Sequence, residues 1–164
     1  MRSGTAKIAG MPAGPLLAGT GLGGGLTAEE SLTALSRGLL AGGAEQPDIC
    51  LLPAARAREE IALRALLAEG DFDARLHVAR ALVICEPRLS PRTLARSVAF
   101  ELATRARQGG VPAFAVVRAS GIDSFAARIL DLQEIALADD VRSLRAVGRT
   151  LARVLSAGRP GTRT

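Results

Sequence analysis

The chain has no tryptophan and no tyrosine, and its only aromatic side chains are four phenylalanines. Single-stranded nucleic acid, which is held by stacking bases on aromatic rings, would find few platforms here. Lysine is almost as scarce, with Lys7 alone among 21 basic residues. There is one histidine, His77, with no cysteine or second histidine near it in sequence. That pattern makes no metal centre, so no metal ligand is assigned and His77 reads as a surface or packing residue. The two cysteines, Cys50 and Cys85, cannot build a disulfide framework or a Cys-x-x-Cys pair, and they suit a reducing cytoplasm. Also missing is any unbroken apolar run near the roughly 20 residues that cross a bilayer, which excludes a helical membrane span.

What is present is a chain of 164 residues, 48% hydrophobic and 23% charged. That is too apolar for disorder and long enough for one domain with its own core. The net charge of +5 comes from arginines spread along predicted helices: Arg56, Arg58 and Arg64, then Arg92, Arg96, Arg105 and Arg107, then Arg142, Arg145, Arg149 and Arg153. With acids among them, they read as a solvated surface, and nucleic acid is not an expected partner. Residues 1–14, broken by glycine and proline, read as a flexible leader and 158–164 as a flexible tail, leaving 15–157 as the domain.

Within that span short apolar runs alternate with helical periodicity. Pro15 to Ala18 is a strand candidate, followed by a loop from Gly19 to Gly25. Thr27 and Glu30 have the spacing of a capping box, and Leu32, Leu35, Leu39 and Leu40 follow on one helical stripe before Gly42 and Gly43. Asp48 to Leu52 is a second strand, stopped by Pro53, and Arg56 to Glu69 a second helix. Ala81 to Cys85 is continuous rather than alternating, as a central parallel strand should be. Ser90 then caps a helix with Pro91 at its first position, running through Leu94, Val98 and Leu102 to Gly109 and Gly110. Ala113 to Val117 is a fourth strand, Asp123 to Leu130 a short helix and Glu134 to Leu137 a weak strand. Asp139 or Asp140 opens a last helix with Val141, Leu144, Val147, Leu151 and Leu155 on one side.

This alternation predicts an α/β fold with a parallel sheet of four to five strands and helices on both faces. Ligands of such sheets lie beyond the carboxyl ends of the strands. The positions of interest are therefore the Gly19 to Gly25 loop, Cys85 to Arg88, and Arg118 to Ser120. The loop contains Gly19-x-Gly21-x-x-Gly24, which fits a phosphate cradle at a helix N-terminus and equally a plain turn. A dinucleotide fingerprint also needs an acid at the end of the second strand, where the chain has Leu51-Leu52-Pro53. After the third strand Glu86 offers a carboxylate for a hydroxyl and Arg88 a guanidinium for an anion. Cys85 has no histidine placed to activate it and reads as core.

Two stretches resemble type I glycerate kinases. The first runs from Ala18-Gly19-Thr20-Gly21-Leu22-Gly23-Gly24-Gly25-Leu26-Thr27-Ala28 through a helix to Ile49-Cys50-Leu51-Leu52-Pro53. The second is Leu82-Val83-Ile84-Cys85-Glu86-Pro87-Arg88-Leu89-Ser90, continuing through Thr93 to Ser97 and, after a helix, to Gly110-Val111-Pro112-Ala113. The resemblance implies a Rossmann-like core, ATP with Mg²⁺ as cofactors, and ATP-dependent phosphorylation of D-glycerate. The family's catalytic aspartates and lysines are replaced here by Thr20, Gly23, Ser90 and the pair Arg96-Ser97, while Glu86, Arg88 and Thr93 match. Phosphoryl transfer depends on such charges, so the resemblance implies lost or reduced catalysis and a residual crevice for a small anion or nucleotide. The candidate ligand- and phosphate-binding residues are Gly19, Thr20, Gly21, Gly23, Gly24 and Gly25 in the loop, and Glu86, Arg88, Ser90, Thr93 and Ser97 after the third strand. Two further readings stand beside this one: a dinucleotide-binding module built on the Gly19 to Gly25 loop, and a non-catalytic interaction domain assembling through its Ala-rich helices.

Overall fold

The structure, a computed structural model, describes residues 13–157. The tail 158–164 and all but the last two residues of the leader 1–14 lie outside the described residues. In chain order the elements are β1 (Leu16–Gly19), α1 (Ala28–Ala41), β2 (Asp48–Leu51), α2 (Ala54–Ala57), α3 (Glu60–Glu69), α4 (Phe72–His77), β3 (Leu82–Leu89), α5 (Val98–Gln108), β4 (Ala113–Ser120), α6 (Ser124–Ile129), β5 (Leu132–Leu137) and α7 (Val141–Ala157). The strands form one sheet in the order β2-β1-β3-β4-β5, with every neighbouring pair parallel. The expected α/β architecture, a parallel sheet covered by helices on both faces, is what the chain adopts.

The period of two along each strand divides the interior. Leu16, Ala18, Leu82, Ile84, Ala113 and Ala115 face a core closed by Leu63 and Leu67 of α3, Phe72 and Leu76 of α4, and Leu102 and Ala106 of α5. Their neighbours Leu17, Val83, Cys85, Phe114 and Val116 face the other core, closed by Leu32, Leu35 and Leu39 of α1 and Leu144, Leu151 and Leu155 of α7. Central strands buried on both faces have no polar side to show, which is why they read as continuous apolar runs. Burial of such side chains stabilises by about 1.5–3 kcal/mol each, so these two layers dominate the energetics.

Several boundaries differ from expectation, each for a local reason. The helix expected over Arg56 to Glu69 is divided, because the Glu59 carboxylate caps α3 by accepting from Ile61 N (3.2 Å) and Ala62 N (3.1 Å). Helix α4 was not expected at all; its six residues carry too few periods to register, yet Phe72 is fully buried. Strand β3 runs four residues past Cys85, through Pro87. That is tolerated because β1 ends at Gly19, so Pro87 has no neighbour on that side needing its missing N–H. The extension displaces the next helix. Ser90 is not its cap; a 3₁₀ turn over Leu94–Arg96 intervenes, and Ser97 caps α5 by accepting from Phe100 N at 3.1 Å.

Candidate functional site

The chain leaves β1 toward β2 on one side and returns to β3 on the other, so the order reverses between β1 and β3. Beyond a reversal of this kind the connections diverge and leave a crevice at the carboxyl ends of the two strands. Thr20 and Glu86 meet at that point. The Glu86 Oε2 accepts from Thr20 N at 2.5 Å and from Thr20 Oγ1 at 2.8 Å. Gly19 makes the approach possible. Its φ is +145°, and a Cβ there would collide with the Cys85 carbonyl oxygen and crowd Glu86 Oε2. Glu86 is buried to 8% exposure. Burial pushes its carboxyl up to about 7, against the downward pull of the two Thr20 bonds. A carboxyl of that kind is close to half-protonated at neutral pH and can accept from or donate to a ligand hydroxyl.

The rest of the glycine loop is held by its own neighbours. Gly21 N donates to the Cys85 carbonyl (3.0 Å), Leu22 N to Ser31 Oγ (3.0 Å) and Leu26 N to the Gly23 carbonyl (3.2 Å). Arg118, at the end of β4, reaches across β3 and donates from Nη2 to the Gly23 carbonyl at 2.7 Å. Gly24 and Gly25 form the exposed tip. At the start of α1, Thr27 and Glu30 close the expected capping box, with Thr27 Oγ1 accepting from Glu30 N and Glu30 Oε1 from Thr27 N, both at 3.0 Å. With Glu29 and Glu30 in that first turn, the helix end is already supplied with negative charge. A phosphate is poorly placed there. The loop is a braced turn whose innermost amide, Thr20 N, is already matched with an internal carboxylate.

The other expected site residues separate. Glu86 and Arg88 share a side of β3, but Arg88 is exposed, in register with Ala119. Thr93 is exposed in the turn before α5, Ser90 is half-buried, and Ser97 Oγ is engaged in capping. Cys85 is core as expected: burial and the neighbouring Glu86 push its thiol up to about 12, which leaves it protonated and inert. His77 is exposed at the end of α4. Sequence reasoning missed Ser31, a fully buried serine whose Oγ accepts from Leu22 N and donates to the Thr27 carbonyl (2.9 Å). Its signal was a hydroxyl placed beside the apolar stripe of α1. It also gave Asp48 no role, whereas Arg75 grips that carboxylate with Nε at 2.8 Å and Nη2 at 2.7 Å and ties β2 to α4.

Fold and site together define a doubly wound α/β protein with a polar pair at its switch point. No family model matches the chain, and no curated protein matches it in sequence. Among solved structures it is similar to the NAD(P)H:quinone oxidoreductase from Methanothermobacter marburgensis, at 12% identity and a TM-score of 0.40, over 89% of this chain and 98% of that one.

The glycerate kinase resemblance is corrected by these findings. No family model supports it. The physical reason lies in the geometry: Ser90, Thr93 and Ser97 follow an extended β3 into a turn and a cap instead of converging on the crevice. Kinase and transferase activity go with the resemblance, and ATP with Mg²⁺ has no other support. Among the described residues no helix is long and apolar enough to cross a membrane.

Proposed function

We propose that the chain is a nucleotide-binding module of the dinucleotide-cofactor class, taking its ligand in the crevice beyond the carboxyl ends of β1 and β3. The observation that carries this reading is the Thr20–Glu86 pair, a buried carboxyl with a pKa of about 7 placed at the switch point of a doubly wound sheet. The donor set fits a ribose better than a pyrophosphate. Glu86 and Thr20 Oγ1 suit sugar hydroxyls, while the N-terminus of α1 already carries Glu29 and Glu30. Arg88, exposed and two positions beyond Glu86, supplies the guanidinium for a phosphate at the crevice rim. The two free, buried cysteines suit a reducing, cytoplasmic setting.

The test is titration calorimetry with NADH, NADPH, FMN and FAD against the full chain and its Glu86→Gln and Arg88→Ala variants. Saturable binding weakened about tenfold in either variant is expected, the loss of one charged hydrogen bond. No saturation with any of the four at millimolar ligand overturns the reading.

A further inference from the structure

The arginines of α7 look scattered when read along the chain, but the helix gathers them. At 100° per residue, Arg142, Arg145, Arg149 and Arg153 fall within an arc of roughly 80°, over about 16 Å of helix. All four are exposed. None enters any of the ion pairs among the described residues, which engage Arg56, Arg64, Arg75 and Arg105 instead. Over its 17 residues α7 has no aspartate or glutamate.

Helix α1 broadens this face. A Cβ on Gly38 would collide with the Arg145 carbonyl oxygen, so the two helices touch backbone to backbone and neither rides above the other. Arg37 of α1 is exposed beside Arg145 in a shared groove of about 340 Å³. Glu29 and Glu30 line the same groove, and Asp139 and Asp140 precede α7. Negative charge therefore gathers at one end of the stripe, and Arg149 and Arg153 at the other end lie outside that groove.

We propose that this face binds double-stranded nucleic acid through its phosphate backbone, anchored by Arg145, Arg149 and Arg153, without reading bases. Guanidinium groups bind phosphate oxygens bidentately, and unpaired ones in a row repeat that contact along a strand. There is no aromatic residue in α7 to stack on an unpaired base, which sets single strands aside. A lipid surface fits less well, because the one other residue of α7 on that arc is Ser156, with no large apolar side chain to enter a bilayer. The proposal does not depend on the crevice, and its ligand is different.

The experiment is fluorescence anisotropy of a labelled random-sequence DNA duplex with the full chain across a salt series. Three phosphate contacts predict a roughly fortyfold loss of affinity between 50 and 200 mM salt. The triple variant Arg145→Ala, Arg149→Ala, Arg153→Ala should weaken binding at least tenfold and flatten that dependence. Alanine is the better helix former, so α7 stays folded, which circular dichroism checks. The control Arg56→Ala, Arg58→Ala, Arg64→Ala removes equal charge from another face and should bind like the parent. No duplex binding at low salt, equal loss in the control, or binding to anionic phosphatidylserine vesicles but not to duplex each overturns the proposal.

Discussion

One carboxylate oxygen of Glu86 receives both the backbone N–H and the hydroxyl of Thr20, a residue 66 positions earlier in the chain. The contact joins the ends of β1 and β3 beside the backbone bond from Gly21 N to the Cys85 carbonyl. It places an ionisable group at the switch point of the sheet, the place where ligands of such folds bind. Its strength therefore depends on protonation, and so should the stability of the fold.

The sign follows from the direction of the shift. Glu86 titrates at about 7 in the folded chain against an ordinary 4.5, so the folded state holds the proton more tightly than the unfolded state. The stabilisation linked to this group is fully present below pH 4.5 and is lost as pH rises through 7. The size is about 3 kcal/mol at most. Glu86→Gln keeps an acceptor for both Thr20 donors and removes the ionisation. Urea unfolding at pH 5 should find the variant close to the parent, and at pH 8 clearly more stable. A constant difference at both pH values would show that Glu86 is not buried as described.

Removing only the Thr20 hydroxyl isolates the second bond. Thr20→Val leaves the backbone N–H in place and deletes the donor that favours the ionised carboxylate. The Glu86 carboxyl should then titrate above its present value of about 7. Stability at pH 8 should fall by about 1 kcal/mol. Carboxyl ¹³C chemical shifts followed against pH report the first effect, and an unmoved titration would mean that the hydroxyl does not reach Glu86 in solution.

The layering of this fold is legible in the sequence because central strands and helices leave strong periodic signals. Leu82 to Cys85 and Ala113 to Val117 are continuous apolar runs, and α1 and α7 carry clean stripes. Short or competed elements leave weak ones. Helix α4 shows only Phe72 and Leu76 as its buried pair, and the Glu59 cap that divides the second helix looks like any other surface acid. The site is half legible. Glu86 and the glycine loop follow from the rule that ligands gather at strand ends, but their union through Thr20 depends on strand register. The α7 stripe was hidden for another reason: an arginine count along the chain does not register which ones share an azimuth.

Arg118 is the brace of the loop. Its Nη2 donates to the Gly23 carbonyl at 2.7 Å from a half-buried position on β4. Arg118→Ala should destabilise the fold by about 1–2 kcal/mol through the lost charged bond and its packed stem. The effect should be local. Amide exchange at Leu26, whose N–H is paired with the same Gly23 carbonyl at 3.2 Å, should accelerate well beyond the change at core amides such as Val83. Uniform acceleration across the sheet would assign Arg118 to global stability instead.

Gly19 tests whether the end of β1 is a fixed point or a passive linker. A side chain there meets two separate obstacles. The φ of +145° lies in a region that other residues rarely enter, and the Cys85 carbonyl oxygen occupies the place of a Cβ. Strain and overpacking each cost about 1–3 kcal/mol, so Gly19→Ala should lose about 3 kcal/mol or more. Relief by backbone movement would pull Thr20 away from Glu86, so the variant should also lose the pH 5 to pH 8 difference described for the parent. Chemical unfolding at both pH values measures the two effects together. A variant as stable as the parent would show that β1 and β3 part before Gly19, and the crevice would then have no fixed floor.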